Sequence, residues 1–437
     1  MNFHSIVYNA LFIPFAKFSI FFLKFFNPKL RERESQCLES LDSIKKLNIK
    51  ESNRTIWFHS ASMGEFEQAK PIIERLKSAN KELKIVCSFF SPSGYNNQRN
   101  YEFADAVCYL PFDTKRNAKL FLNLLKASIV VFVRYEIWRN FLEESKHRKA
   151  KLLLINATAP QSKTLSNNAL LRSFSRSNYN LFDYIFTVGE KHSDFFNSLG
   201  LGSKVETLSD SRFDRIVEKV NQSRAMPIIP KNIFEEDKLV LICGSTWKED
   251  EDLIFLALKS LELAYKEKIA LIIVPHEPTE ENIQRLQSIF HNSLLFSKLL
   301  ELTKKYETDE LRKIVGENAI IVNSIGKLLG LYSIADFVYI GGGFGAGIHS
   351  VTEPAGYGIP LSCGPKYKVS YDAINLVDLK ALSVIENRGD LTAWFEELIS
   401  DLAKRSKVGK IASDYILNRA GSSEVIVKKI EMLLNAE

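Results

Sequence analysis

Two glutamates follow apolar runs in the first half of the chain. In WFHSASMGE, Trp57 to Glu65, an aromatic run gives way to a tight Ser/Gly loop that stops on a carboxylate. In SIVVFVRYEIWRN a second run stops on Glu136, with Arg134, Trp138 and Arg139 crowding around it. A carboxylate held just past a strand end is placed where it could act as a catalyst on a bound ligand. Glu65 has another reading on its own residues. Ser62-Met63-Gly64-Glu65 fits a capping box, in which serine and glutamate satisfy each other's backbone donors. Gly64 argues for a ligand as well, because glycine is a poor helix former and leaves the backbone bare beside the carboxylate.

The second half offers anion cradles. In DFVYIGGGFGAGIHSVTEPAGYGIPLSCGP a strand empties into Gly341, Gly342 and Gly343, with a helix start at Thr352-Glu353-Pro354. Bare N–H groups there suit a phosphate. The spacing is not G-x-G-x-x-G and the strand comes late in the chain, which argues against a dinucleotide oxidoreductase. Glu353 is placed to accept from both hydroxyls of a ribose, or simply to complement a helix dipole, worth about 0.3 to 1 kcal/mol. CGSTWKEDED, with Ser245 and Thr246, is a second candidate cradle, though on these residues alone ordinary capping is the stronger reading. Pro275 and His276 lie just past another strand end, and a lone histidine such as His276 or His59 has a structural reading beside the catalytic one.

Elements must position these groups. From residue 55 short β-branched runs alternate with helical stretches: TIWFHS, KIVCSFF, DAVCYLPF, SIVVFVRYE, KLLLINAT and YIFTVGE. That rhythm predicts a parallel sheet covered on both faces. NQSRAMPIIPKN, residues 221 to 232, interrupts it like a linker. A second series comes after it in KLVLICGST, KIALIIVPH, AIIVNS, DFVYIGGG, IPLSCG and ALSVIEN. The fold class is therefore α/β, two Rossmann-like domains facing across a cleft, with ligands at the carboxyl ends of their strands. The expected domains are 31–224 and 225–437, and SSEVIVKKIEMLLNAE forms a terminal helix that packs on, or crosses back to, another domain.

Composition excludes several classes. At 437 residues with 46% apolar and 25% charged residues, both halves can bury a full core. The net charge of +6 is dispersed rather than gathered into basic blocks with aromatics, which does not favour nucleic acid as a partner. The five cysteines are far apart with no C-x-x-C pair, as expected of reduced cytosolic thiols.

Residues 1–30 differ from the rest: FHSIVYNALFIPFAKFSIFFLKFF is rich in Phe, Leu and Ile, and NPKLRERE turns basic. They form the expected membrane-associated helix. Lys17 and Lys24 share one helical face and Pro14 interrupts the middle, which favours an amphipathic helix in the interface over a clean span. Lys29, Arg31 and Arg33 keep the rest of the chain on the cytoplasmic side by the positive-inside rule.

Taken in order, these residues resemble the 3-deoxy-D-manno-octulosonic acid (Kdo) transferases of lipopolysaccharide biosynthesis. The resemblance spans nearly the whole chain: the apolar N-terminus, HSASMGE at 59 to 65, SPSG at 91 to 94, EIW at 136 to 138 and RFD at 212 to 214. It continues in GSTWKEDE at 244 to 251, PHEP at 275 to 278, NSIGKL at 323 to 328 and the glycine-rich block. Membership implies the GT-B fold and inverting, metal-independent transfer of Kdo from CMP-Kdo to a lipid A precursor, without a cofactor, on the cytoplasmic face of the inner membrane. It implies Glu65 as general base and Glu136 as a second essential carboxylate, with Ser62, Gly64 and Arg134 on the acceptor side. Donor contacts would come from Ser245, Thr246, Pro275, His276, Gly326, Lys327, Gly342, Gly343, His349 and Glu353. The sequence departs from the family pattern at Arg134-Tyr135 and Arg139 around EIW, at PHEP where an arginine is usual, and at Gly347-Ile348-His349-Ser350. Two rivals remain on residues alone: a GT-B enzyme using a UDP-sugar, and a non-catalytic membrane-bound nucleotide-binding protein.

Overall fold

The computed structural model describes residues 3–50, 54–160, 168–316 and 318–436. The chain divides into two compact units, Met1–Arg215 with Arg419–Glu437, and Ile216–Asn418. The division falls inside the helix Arg212–Ala225, ahead of the expected boundary at 224/225. Continuous helical hydrogen bonding runs through the first residues of the stretch that reads as a linker.

The first unit holds seven parallel strands: β1 (Thr55–Ser60), β2 (Lys84–Phe89), β3 (Ala106–Tyr109), β4 (Ile129–Val133), β5 (Lys151–Ala157), β6 (Tyr184–Val188) and β7 (Val205–Leu208). Their order is β3-β2-β1-β4-β5-β6-β7. Successive residues serve opposite faces. Trp57, Val130, Phe132, Leu152 and Leu154 enter one core, while Ile56, Phe58, Ile129, Val131, Leu153 and Ile155 enter the other. The helix Met63–Ala79 covers the second face, joined there by the terminal helix Ser422–Asn435 through Ile426, Ile430 and Leu434.

The second unit repeats the design with β8 (Leu239–Thr246), β9 (Ile269–Pro275), β10 (Ser293–Leu295), β11 (Ala319–Ile321), β12 (Phe337–Ile340), β13 (Leu361–Cys363) and β14 (Leu382–Val384), all parallel, in the order β10-β11-β9-β8-β12-β13-β14. In the first sheet the strand order reverses between β1 and β4; in the second it reverses between β8 and β12, and again at the edge, where β10 lies outside β11. Crevices that bind ligands open at the carboxyl ends of strands at such a reversal.

Ahead of β1 runs a helix of 24 residues, Phe3–Phe26, long and apolar enough to cross a membrane. A widened turn, Tyr8–Phe12, precedes Pro14, where the missing N–H would otherwise interrupt the ladder. One side is tied to the first unit: Ser5 Oγ donates to Glu143 at 2.7 Å, Tyr8 Oη to Asp113 at 2.6 Å and Asn9 Nδ2 to Asn140 at 3.0 Å. The other side exposes Leu11, Phe12, Phe15, Phe18, Phe22 and Phe26. Lys24 pairs with Glu34 at 3.2 Å on the next helix, Pro28–Ser40.

Candidate functional site

The reversal between β1 and β4 places Glu65 and Glu136 in one neighbourhood. Ser62 caps the helix Met63–Ala79, which puts Glu65 in its first turn. Glu65 Oε2 accepts the N–H of Ala61 at 2.6 Å and of Ser62 at 3.3 Å. The carboxylate is 6% exposed, more enclosed than an open general base would be. Its two oxygens divide the work. Oε2 belongs to the cap, whereas Oε1 reaches solvent and has no partner among the described residues. The capping and ligand-facing readings of this residue are therefore compatible. Burial pushes the carboxyl above the usual glutamate range, the charge of Glu136 adds to that, and the two N–H groups and Arg134 oppose it. Gly64, next to it, is exposed, and an added Cβ there would meet nothing within 4 Å.

Glu136 Oε2 accepts the indole N–H of Trp138 at 2.7 Å and lies 3.9 Å from His59 Nε2. Trp138 stacks on Phe90, and the guanidinium of Arg33 covers Phe90's ring at 4.2 Å while bonding the Leu110 carbonyl. Arg134 adopts a left-handed backbone conformation, φ 65°, at the end of β4. Such strain is held by its surroundings. Its N–H donates to the Ile155 carbonyl at 2.9 Å and its Nε to Gln68 at 3.2 Å. Arg139 does not join them. It is buried, and its guanidinium bonds Glu143, Asn178 and Ser177. The crowding expected of three neighbours reduces to Arg134 and Trp138.

In the second unit the loops after β8 and β12 meet. A Cβ on Gly341 would lie 2.3 Å from the Ser245 carbonyl, and one on Gly343 2.6 Å from Gly364, so close backbone approach requires these glycines. Ser245 itself has φ 53°. Thr246 Oγ1 donates to Glu251 at 2.8 Å, and Arg285 pairs with the same carboxylate. The Gly342 N–H donates to Asp250 at 2.8 Å, which corrects its expected role as an anion donor. Asp250 also holds Trp247 N at 2.9 Å and Tyr339 Oη at 2.8 Å, and so ties the two loops together. The Gly343 N–H has no hydrogen-bond partner among the described residues.

His276, after β9 and its last residue Pro275, stacks on His349 with ring centres 4.2 Å apart. Trp247 stacks on His276 at 4.8 Å and donates its indole N–H to His349 Nε2 at 3.2 Å. Burial and the neighbouring His276 lower the pKa of His349. This three-ring shelf includes Trp247, which sequence reasoning passed over although it sits inside GSTWKEDE. Gly326, φ 75°, and Lys327 lie on the loop after β11; the side chain of the next residue, Leu328, packs beside Gly244, as does Tyr332. Glu353 sits in the first turn of Thr352–Gly356, and its charge acts on Tyr332.

Residues 34–215 match the family model described as 3-deoxy-D-manno-octulosonic-acid transferase (kdotransferase). A bifunctional glycosyltransferase/methyltransferase from Fusobacterium nucleatum is 25% identical over 86% of the chain, which spans 60% of that protein's length. A 3-deoxy-D-manno-octulosonic acid transferase from Rickettsia bellii is 26% identical over 79% of each chain. Among solved structures, UDP-GlcNAc 2-epimerase from Neisseria meningitidis superposes with a TM-score of 0.56 at 12% identity over 86% of this chain and all of that one. Acinetobacter baumannii MurG does so with 0.51 at 12% identity over 87% and 99%. These two likenesses are of fold, the GT-B type.

Proposed function

We propose that this chain, which belongs to the Kdo transferase family, is an inverting glycosyltransferase that moves Kdo from CMP-Kdo to a lipid A precursor. One observation carries the reading beyond family likeness. A carboxylate pair stands at the strand reversal of the first unit, with one glutamate oxygen held by a helix cap and the other open. Glu65 Oε1 takes the proton of the acceptor hydroxyl. The hydroxyl oxygen then bonds to the anomeric carbon of Kdo, and the electron pair of the breaking bond leaves with CMP. The first unit serves the acceptor through Glu65, Glu136, Ser62, Gly64 and Arg134. The second serves the donor: the Trp247, His276 and His349 rings offer a stacking surface, and the Gly343 N–H and Lys327 meet the phosphate. Ser245, Thr246, Pro275, Gly326, Gly342 and Glu353 shape that surface, and no cofactor takes part. Such preorganised donors stabilise leaving-group charge without reorganising.

The N-terminal helix rests on the cytoplasmic face of the inner membrane. Its hydrogen bonds to the sheet-bearing part of the first unit lie at Ser5, Tyr8 and Asn9, and crossing the bilayer would strip them. Lying in the interface keeps them and buries the phenylalanine face.

Purified protein incubated with CMP-Kdo and lipid A precursor should add Kdo to the lipid, read as a mass increment. CMP should inhibit and UDP should not. Product from a UDP-sugar instead, or nucleotide binding with no product, would replace this reading with one of its rivals.

A further inference from the structure

His59 is the last but one residue of β1, 0% exposed, and in register with Ser88 of β2 and Phe132 of β4. Its two ring nitrogens have different surroundings. Nδ1 lies 2.9 Å from Ser88 Oγ, and that oxygen already accepts the indole N–H of Trp57 at 2.8 Å. Ser88 Oγ has a second lone pair, but its single hydrogen finds no other acceptor among the described residues, so it points at His59 Nδ1, which accepts it. The neutral ring then carries its own hydrogen on Nε2. Nε2 is fully buried and has no hydrogen-bond partner among the described residues, yet it faces Glu136 Oε2 at 3.9 Å. A buried donor without a partner is costly unless something comes to meet it.

From Trp57, Ser88, His59 and Glu136 we infer that His59 is a positioning residue: Trp57 and Ser88 fix it as the Nε2–H tautomer, and it steers and holds the carboxylate of Glu136 beside Glu65. The gap of 3.9 Å closes by a small turn of Glu136 when substrate fills the crevice, as catalytic hydrogen bonds commonly tighten on binding. The charged and titratable groups around the pair include Arg134 at the end of β4, with Asp210 3.9 Å from its guanidinium and His192 within reach of its charge, and, beyond the Phe90 and Trp138 rings, Arg33; β2 contributes Ser88. With those fixed, Trp138 donates to Glu136 at 2.7 Å, and His59 Nε2 is the buried donor that faces the same oxygen at 3.9 Å. The inference rests on the proposed roles of Glu65 and Glu136. Its test is separable from theirs, because wild-type turnover establishes the reaction and the variants address His59 alone.

The tautomer is read first, on the wild-type protein, from the ring ¹⁵N shifts of His59 assigned by difference against His59→Gln. A protonated Nε2 with a bare Nδ1 is expected, and the opposite tautomer overturns the inference. Kinetics come second. His59→Gln keeps a donor near the place of Nε2, whereas His59→Asn reaches only the level of Nδ1. We expect His59→Gln to stay within about threefold of wild-type kcat. His59→Asn should lose about tenfold or more in kcat with donor KM unchanged, and its acid limb should move to higher pH because the carboxylate pair has lost a donor. Ser88→Ala, which frees the tautomer, should fall between them. Equal loss in the Gln and Asn variants, or an unmoved acid limb in the Asn variant, would reduce His59 to packing and sink the proposal.

Discussion

The two strand reversals are built alike and furnished differently. At the end of β1 and β4 the polar groups are ionisable side chains held under tension: Glu65 is enclosed, capped through one oxygen and raised in pKa by burial and by Glu136. At the end of β8 and β12 the crowding is of backbone, with Gly341 and Gly343 packed where a Cβ would clash and a carboxylate, Asp250, pinning the loop from behind. The first arrangement can move a proton but would hold a ligand poorly. The second offers stacked rings and a bare backbone N–H, which can hold a flat, anionic ligand. On the proposed reading, proton chemistry and ligand capture fall to different regions, and substitutions should separate them.

Glu65→Gln gives the widest separation. Gln keeps a cap acceptor and loses the base, so kcat should fall by roughly 10² to 10⁴, while CMP affinity measured by titration calorimetry stays as in wild type. The raised pKa adds a stability corollary. A carboxyl whose folded pKa lies above its unfolded one contributes stability at low pH that is lost as pH rises through the folded value. At neutral pH the ionised Glu65 is therefore a burden on the fold. Glu65→Gln should melt no lower than wild type at pH 7, and its advantage should vanish below the ordinary glutamate range. A lower melting point at pH 7 would make the residue a structural cap before anything else.

Gly342→Ala addresses the other region. The residue has φ 90°, and an added Cβ would lie 2.5 Å from the Gly347 carbonyl, so the loop must shift. Donor KM should rise about tenfold or more, about 1.4 kcal/mol of binding, and the acid limb of kcat should stay where wild type has it. If kcat alone collapsed, the division between the regions would fail.

The pH profile sharpens the same contrast without any substitution. Glu65 must be ionised to act, and its pKa is raised, so the acid limb of kcat should lie above the ordinary glutamate range. CMP binding to the second unit should not share that limb. A common limb in both would mean that the glutamate affects donor capture.

Much of this was legible in the chain because short β-branched runs followed by Gly and Ser announce strand ends, and both glutamates and the glycine block stand at such ends. Twelve strands read clearly, whereas β7 and β10 did not. Both are edge strands, and VETL and SLL are too short and too exposed to show a buried run. The use of each polar group was harder to see. No spacing rule reveals that the Gly342 N–H turns back to Asp250, that Arg139 turns to Asn178, or that Ser88 sets the tautomer of His59. Those contacts join residues 92, 39 and 29 positions apart, which only the sheet order brings together.

Gly64→Ala carries the smallest expected effect and tests the finest part of the contrast. Unlike Gly342, Gly64 has open space where a Cβ would go. Its place in the first turn of a helix means that alanine should stabilise by about 0.5 to 1 kcal/mol, the ordinary gain over glycine. A fold that melts slightly higher is thus expected. If the acceptor approaches Glu65 Oε1 along this bare stretch of backbone, the methyl group stands in its way, and acceptor KM should rise several-fold while CMP affinity is untouched. A gain in stability with no change in acceptor KM would mean that the acceptor reaches Oε1 from another side.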